Sequence, residues 1–188
     1  MVGLALFVGY VAVALVWRMA EHRHRSGDGK GRLTATSPLG RLASAVIVLG
    51  HVVTLVATFG ADTHVGPAIV GTVVVAAGLA LVVRAQVAMG DSWRVSVDPE
   101  EVTGLVTRDV FGVVRNPIFS GMVVCLVGIA LAASSWLAAV GAIVFVLGIE
   151  VEVRLVEEPY LQRTHGAAFA EYRRRTGRFL PRPRAATA

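Results

Sequence analysis

Charge is scarce in this sequence. Only 16% of its 188 residues are Asp, Glu, Lys or Arg, and 55% are hydrophobic, whereas an ordinary soluble domain carries ~25% charged and ~45–50% apolar residues. With a mean hydropathy of +0.66, disorder and a large aqueous core are excluded together, and a membrane protein is indicated. Cysteine is nearly absent as well. Cys125 stands alone, so no internal disulfide can form, and its place in an apolar run marks a small, buried, inert thiol. Metal-ligand spacing is missing: His22, His24, His51, His64 and His165 are scattered, with no HExxH and no Cys/His pair, so no metal is expected. Neither a GxGxxG cradle, a P-loop nor a GxSxG elbow occurs, which disfavours soluble nucleotide-binding folds. The net charge of +5 would fit a nucleic-acid partner only if basic residues were interleaved with aromatics on a solvated face. Here they bracket apolar segments, and no nucleic acid is expected.

What is present is a series of apolar runs. Met1 to Trp17 is charge-free and closed by Arg18; it lacks the leading positive charge of a secretory signal and reads as a retained first helix. Runs from Arg41 to Asp62 and from Asp62 to Arg84 are each about long enough for one crossing, with breakers between Gly60 and Pro67. Asn116 to Ile149 then runs 34 residues without charge, with Ser134, Ser135 and Trp136 near its middle, as in a tight helical hairpin. Its return arm must continue through Glu150 and Glu152 to complete a crossing. The expected fold is an all-α integral membrane protein with about five transmembrane helices, including this C-terminal-half hairpin, followed by short cytoplasmic helices. As a single domain it divides into three N-terminal spans (1–88), a cytoplasmic segment (89–117), the hairpin (118–154) and C-terminal helices (155–181).

All 18 Lys and Arg residues fall between Arg18 and Arg41, Arg84 and Arg115, or Arg154 and Arg184. Five crossings put the three clusters on one side, so the positive-inside rule gives an outside N-terminus and a cytoplasmic C-terminus. Small residues recur along the spans at Ala76/Ala80, Gly121/Cys125, Gly128/Ala132 and Gly141/Gly148, as close helix packing in lipid requires. The stretch Ser26 to Gly40 reads as a cytoplasmic loop, and Pro181 to Ala188 as a frayed tail.

Two polar segments lie on the cytoplasmic side. In the first, Trp93, Val95 and Val97 alternate with polar residues, Asp98-Pro99-Glu100-Glu101 resembles a helix start, and Arg115-Asn116-Pro117 leads into the fourth apolar helix with Asn116 as cap and Pro117 in the first turn. Arg115 beside a helix N-terminus makes an anion site, although an Arg at a helix end also snorkels by default. In the second, Glu150, Arg154 and Glu157 are spaced i, i+4, i+7 on one helical face, either as an exposed ion-pair ladder or facing a wet cavity. Neighbouring Glu157 and Glu158 diverge by about 100°, so one of them, Glu157, is expected in the pocket. His165 and Gly166 close that helix, Ala167 to Arg175 start another, and His51 in the second span is a satisfied core histidine.

Taken in order, LVTRDVFGVVRNPIFSGM, a membrane hairpin, and EEPYLQRTHGAAFAEYRRRTGRFLP resemble the isoprenylcysteine carboxyl methyltransferase family, within the wider group that includes phospholipid methyltransferases. The resemblance spans Met89 to Pro181. Leu105, Val106 and Thr107 match its LVT; Arg115, Asn116, Pro117 and Phe119 match its Arg-His-Pro-x-Tyr; Glu157 and Glu158 match its paired acids; Leu161, Gly166, Phe169 and Tyr172 match its tail. Asp109-Val110-Phe111 replaces Gly-Pro-Tyr, Asn116 replaces His and Phe119 replaces Tyr. An amide cannot become an imidazolium, so Asn116 is no acid or base.

The resemblance implies methyl transfer from S-adenosylmethionine, leaving S-adenosylhomocysteine, to a lipophilic small molecule or lipid that enters from the bilayer. It implies a cofactor site at Leu105, Val106, Thr107, Arg115, Asn116, Pro117, Phe119, Glu157, Glu158, Leu161 and Tyr172, with Arg115 and Asn116 as catalytic residues; Arg154, on the face shared with Glu150 and Glu157, is the third catalytic candidate. A carboxylate acceptor is ionised at neutral pH and needs no base, and no base is evident, so a carboxylate or thiol acceptor is favoured. A phospholipid or amine N-methyltransferase shares the same blocks. A non-enzymatic membrane protein that has lost the cofactor is the third alternative.

Overall fold

The computed structural model describes residues 1–17, 37–62, 64–90 and 104–182. The readings made for Trp93 to Glu101 and for most of Ser26 to Gly40 lie outside the described residues. Helix α1 (Val2–Val11) runs on into a π-helical stretch, Ala12–Trp17; α2 is Pro38–Thr58 and α3 Val65–Met89. A 3-10 turn, Asp109–Gly112, precedes α4 (Pro117–Ala132). Helix α5 (Trp136–Glu152) passes through a π-helical turn, Val153–Glu157, into α6 (Glu158–Arg175). Among the described residues the only β-type pairing is one parallel bridge, Val114 to Gly177.

Local chemistry places the ends. Ser37 caps α2, its Oγ accepting from Gly40 N at 3.0 Å, and Pro38 follows in the first turn, where its missing N–H costs nothing. The α2–α3 turn uses Gly60 at φ +69°, a conformation glycine takes without strain. The hairpin between α4 and α5 turns at Ser134, and Ser135 caps α5 by accepting from Ala138 N at 3.3 Å. The two turns fall where the sequence indicated, whereas α2 begins at Pro38, inside the stretch Ser26 to Gly40 that reads as a loop.

The protein is an all-helical membrane protein. Pro38–Ala57, Val65–Met89 and the run that starts at Trp136 are long and apolar enough to cross a bilayer; Val2–Ala14 and Pro117–Ala132 are shorter apolar helices. The anticipated apolar helices are thus present, but the hairpin is uneven. Helix α4 has 16 residues and spans about 24 Å at 1.5 Å per residue, against a hydrocarbon core of ~30 Å. The outer faces of α2, α3 and α5 present Val48, Val52, Val56, Ile69, Val73, Ile143 and Leu147, a surface suited to lipid.

Helix pairs α3–α4 and α2–α5 meet through glycines seven residues apart. A Cβ built on Gly78 falls 2.8 Å from Gly121 O, and one on Gly121 falls 2.8 Å from Gly78 O; Gly50 and Gly141 stand in the same reciprocal relation at 2.8 Å each. Gly71 and Gly128 make a third such pair. In lipid, where apolar surface gains nothing by leaving the solvent, this close backbone approach supplies the dispersion contact that holds helices together. The small residues Gly121, Gly128, Gly141 and Gly148 serve as the sequence suggested. Ala76 and Ala80 do not: both are exposed, and the buried stripe of α3 is Gly71, Val75, Gly78, Val82 and Ala85. Between α1, α2 and α5, His51 accepts from Tyr10 Oη at 2.8 Å while its Nδ1 donates to Ile47 O at 2.9 Å. Its ring packs edge-on to Phe145, so it is the satisfied core histidine anticipated, and Cys125 is a buried free thiol.

Gly128→Val is expected to lower stability in detergent by ~1–3 kcal/mol, the cost of overpacking a filled interface, whereas Gly66→Ala, with nothing within 4 Å of its Cβ position, should stay within ~0.5 kcal/mol. Thermal unfolding of both variants checks this; equal effects would show that the glycine contacts do not govern packing.

Candidate functional site

At one end of the bundle the segment before α4, helix α6 and the C-terminal tail are tied together. Arg115 N donates to Gly177 O at 2.8 Å and Asn116 N to Arg178 O at 3.0 Å. Ser120 Oγ donates to Phe179 O at 2.8 Å, with Asn116 O at 3.0 Å on the same hydroxyl. These bonds give the tail the partners of a short strand, although it forms no sheet. Tyr172, on α6, donates its buried hydroxyl to Phe111 O at 2.7 Å, which fixes the 3-10 turn against α6. Asp109 adopts φ +57°, a conformation that Asp tolerates better than most residues. That accounts for an Asp where the resembling pattern has Gly.

The electrostatic centre is Glu158. Arg115 Nη2 reaches its Oε1 at 2.8 Å, while Arg178 binds it in bidentate fashion, Nε to Oε1 at 2.9 Å and Nη2 to Oε2 at 2.8 Å. Only 8% of the Glu158 side chain and 9% of that of Arg115 are exposed, so solvent screens this pair little. Burial pushes the Glu158 carboxyl upward, but the hydrogen bonds from Arg178 and Arg115 outweigh it and hold the group below the usual carboxylate range. Arg115 Nη1 also donates to the carbonyls of Thr176 and Arg173. Its Nε is buried and has no partner among the described residues.

Beside this centre lies a cavity of about 230 Å³. Arg115, Glu157, Glu158 and Tyr172 form its polar end; Leu105, Val106, Phe111, Pro117, Phe119, Leu161 and Phe169 give apolar walls; Ala14, Gln86, Met89, Ile118 and Met122 close the rest. Asn116 also lines it. The structure therefore brings together ten of the residues singled out from the sequence: Leu105, Val106, Arg115, Asn116, Pro117, Phe119, Glu157, Glu158, Leu161 and Tyr172. Thr107 and Arg154 are not among its lining residues. Arg154 is exposed and pairs with Glu150 one turn back.

Three details differ from the sequence reading. Both neighbouring glutamates line the cavity, because the π-helical turn Val153–Glu157 changes the angular positions expected of a regular helix. That same turn separates Glu157 from the Glu150–Arg154 ladder. Asn116 sits at the N-cap but its side chain makes no cap bond; the amide donates instead to Arg178 O at 3.3 Å. Glu158 keeps helical dihedrals, φ −61° and ψ −40°, despite preceding Pro159. Gly166, at φ +52°, breaks α6 where a helix end was anticipated.

Glu157 differs from its neighbour. Burial, together with the nearby charges of Glu152 and Glu158, pushes its carboxyl up to about 8, so it is mostly protonated at neutral pH yet able to give up or take a proton there. A titratable group suited to proton transfer is thus present, which sequence spacing did not reveal. Arg178 and Gln86 were also missed. Arg178 was hidden in the basic run from Arg173, read only as a marker of sidedness. Gln86 was legible in principle, as a lone polar residue in the last apolar turn of a span.

The sequence model of the phospholipid methyltransferase family matches residues 67–168. This chain belongs to that family. The match runs from the first turn of α3 through the Arg115 segment and the hairpin into α6, and covers more than half of the chain. The family comprises integral membrane methyltransferases, among them the isoprenylcysteine carboxyl methyltransferases, and its members generally use S-adenosylmethionine. No curated protein matches the chain. The bundle with its end cavity is accordingly that of a membrane methyltransferase of the phospholipid methyltransferase family.

Glu158→Gln is expected to destabilise the protein by ~3–5 kcal/mol, since it leaves buried Arg115 without its counter-charge and Arg178 with only Glu150, at 3.9 Å, whereas Glu171→Gln, at an exposed pair with Arg175, should cost under ~1 kcal/mol. Because the folded value of Glu158 is depressed, its contribution is present above the unfolded value of ~4.3 and is lost as pH falls through the folded one. The gap between the two variants should therefore narrow on acidification. Unfolding curves at neutral and acidic pH measure it; a mild, pH-independent effect of Glu158→Gln would contradict the reading.

Proposed function

We propose that this methyltransferase takes its methyl group from S-adenosylmethionine and passes it to a lipophilic acceptor that enters the cavity from the bilayer. The observation that carries the reading is that Arg115, whose buried Nε has no partner among the described residues, and Glu157 line the same apolar-walled cavity, where burial raises the Glu157 carboxyl. The methionine end of the cofactor bears a carboxylate, an ammonium and a sulfonium, and these two side chains complement the first two. When bound, S-adenosylmethionine supplies an electrophilic methyl group and departs as the neutral thioether S-adenosylhomocysteine. Arg115 would hold the carboxylate, and Glu157 the ammonium. Leu105, Val106, Phe111, Leu161 and Phe169 offer apolar surface to the adenosine and keep water out, which strengthens both polar contacts.

In this reading Arg115 and Glu157 bind the cofactor's charged groups directly, while Glu158, Asn116 and Tyr172 position Arg115 and the walls around it. Pro117 and Phe119 shape the start of α4. Thr107 does not line the cavity and is assigned no part in cofactor binding, and Arg154 pairs with Glu150 at the surface. The one-sided placement of Lys and Arg supports an outside N-terminus with the cavity and C-terminus in the cytoplasm, where the cofactor is made available, and the chain works as a single domain. A carboxylate or thiol acceptor, as in the isoprenylcysteine enzymes, is one reading of substrate class. Glu157 favours a second: an amine must lose its proton before attack, and a carboxylate ionised beside it can receive that proton while the nitrogen lone pair forms the new bond to carbon.

Cofactor binding at neutral pH should release approximately one proton per site at most, because the arriving cation favours the charged form of Glu157 and lowers its value from about 8. Calorimetry with S-adenosylmethionine in buffers of different ionisation enthalpy reads this directly. Glu157→Gln should abolish the proton release and weaken binding by roughly 10- to 100-fold, a charge-assisted contact being worth ~1.5–3 kcal/mol. Absence of binding by the parent protein would reject the proposed function, and unchanged release in the variant would reject the role of Glu157.

A further inference from the structure

Gln86 sits in the last turn of α3 with none of its surface exposed, and it lines the cavity that Glu158 also borders, together with the apolar residues Ala14, Met89, Phe119 and Met122. Its two amide atoms are told apart by their surroundings. Nε2 donates to Ala14 O at 2.7 Å, and since a backbone carbonyl can only accept, the nitrogen must face α1. That leaves Oε1, which is buried and has no hydrogen-bond partner among the described residues. Buried amide oxygens are rarely left unmatched. The carbonyl of Ala14, in the π-helical stretch that continues α1, holds the amide nitrogen and with it the orientation of the oxygen.

We infer that Gln86 recognises the methyl acceptor, its Oε1 accepting a hydrogen bond from an N–H or O–H on the head group of a lipophilic molecule. The inference rests on the methyltransferase reading above and deepens it by naming the class of acceptor. The reasoning is one of complementarity. The cofactor's carboxylate and ammonium are matched by Arg115 and Glu157 at the polar end, which leaves Gln86 for the second substrate. An amide oxygen offers only lone pairs, so it welcomes an amine, an ammonium or a hydroxyl. A carboxylate, with lone pairs of its own and no proton at neutral pH, meets it unfavourably. Discrimination of this kind is the strong kind in enzyme sites, because a site atom built for a hydrogen bond is left unpaired by a ligand lacking the donor. Met89, Met122 and Phe119 in the wall of the same cavity suit the hydrocarbon that follows the head group.

The test uses the full-length protein in detergent, saturated with S-adenosylhomocysteine, and compares the affinity of four ligands with the same chain: dodecylamine, dodecanol, dodecyl methyl ether and dodecanoate. The two donors should bind at least about tenfold more tightly than the two molecules without one, the difference expected for one buried hydrogen bond. The ether controls for charge, since it is neutral like dodecanol and has a methyl group in place of the donor hydrogen, and the amine and alcohol arms distinguish a nitrogen from an oxygen acceptor. In Q86L the preference should shrink to within about twofold while affinity for S-adenosylhomocysteine stays within about twofold of the parent. Equal affinities across the parent's panel, a preference for dodecanoate, or no binding by any of the four overturns the inference, and that result stands even if Q86L does not fold. An undiminished preference in folded Q86L, or an equal loss of S-adenosylhomocysteine binding, overturns it too. Failure of the parent to bind S-adenosylhomocysteine rejects the methyltransferase reading instead, so the two failures are told apart.

Discussion

The carboxylate of Glu158 receives two guanidinium groups, one from Arg115 before α4 and one from Arg178 in the C-terminal tail, 43 residues before it and 20 after it in the chain. Three segments that share no regular secondary structure are held in one arrangement by this contact. A buried carboxylate of this kind is costly to strand, so the arrangement is held as a unit: removing any member leaves charge without a partner in a poorly hydrated place. The backbone bonds from Arg115 and Asn116 to the tail and the Tyr172 hydroxyl on Phe111 O all fall around this charge cluster. They convert a loose helix end into the wall of a cavity.

Neighbouring carboxyls at 157 and 158 illustrate how environment divides identical groups. Two cations hold Glu158 ionised, whereas burial and the charges of Glu152 and Glu158 keep Glu157 largely protonated. At neutral pH one acid is structural and ionised, while its neighbour is raised toward neutrality. Environments that push the values of two adjacent acids apart give them different chemistry. The rest of the bundle contributes position: glycine pairs between α3 and α4 bring the last turn of α3, with Gln86, close to the start of α4, with Arg115 and Phe119.

Much of this was legible in the sequence for particular reasons. Charge-free runs bounded by Arg18, Arg41, Asp62 and Arg84 mark helices in lipid because exposed backbone there must be satisfied internally. Ser134, Ser135 and Trp136 mark the turn of the hairpin, whereas the helix start at Ser37 and Pro38 was hidden in a stretch rich in Gly, Ser and Thr. The Arg115 and Glu157 segments stood out as ionisable groups bordering apolar runs. What was hidden depended on three-dimensional register. A π-helical turn at Val153–Glu157 has no signature in a hydrophobic pattern, so the placement of both glutamates at the cavity was not predictable from 100° steps. Arg178 could not be separated from its basic neighbours, since charge composition does not say which Arg turns inward. Ala76 and Ala80 had the right size for a helix interface but lie on the face opposite the glycine stripe.

The account's central claim is that the cavity roofed by the Glu158 cluster is the cofactor site, and the most direct measurement is an experimental structure of the full chain with S-adenosylhomocysteine. The account predicts the ligand's amino-acid end between Arg115 and Glu157, its adenosine against Leu161 and Phe169, and Glu158 still bound to both Arg115 and Arg178. A ligand seated outside this cavity, or a Glu158 that abandons the two arginines to contact it, would contradict the account.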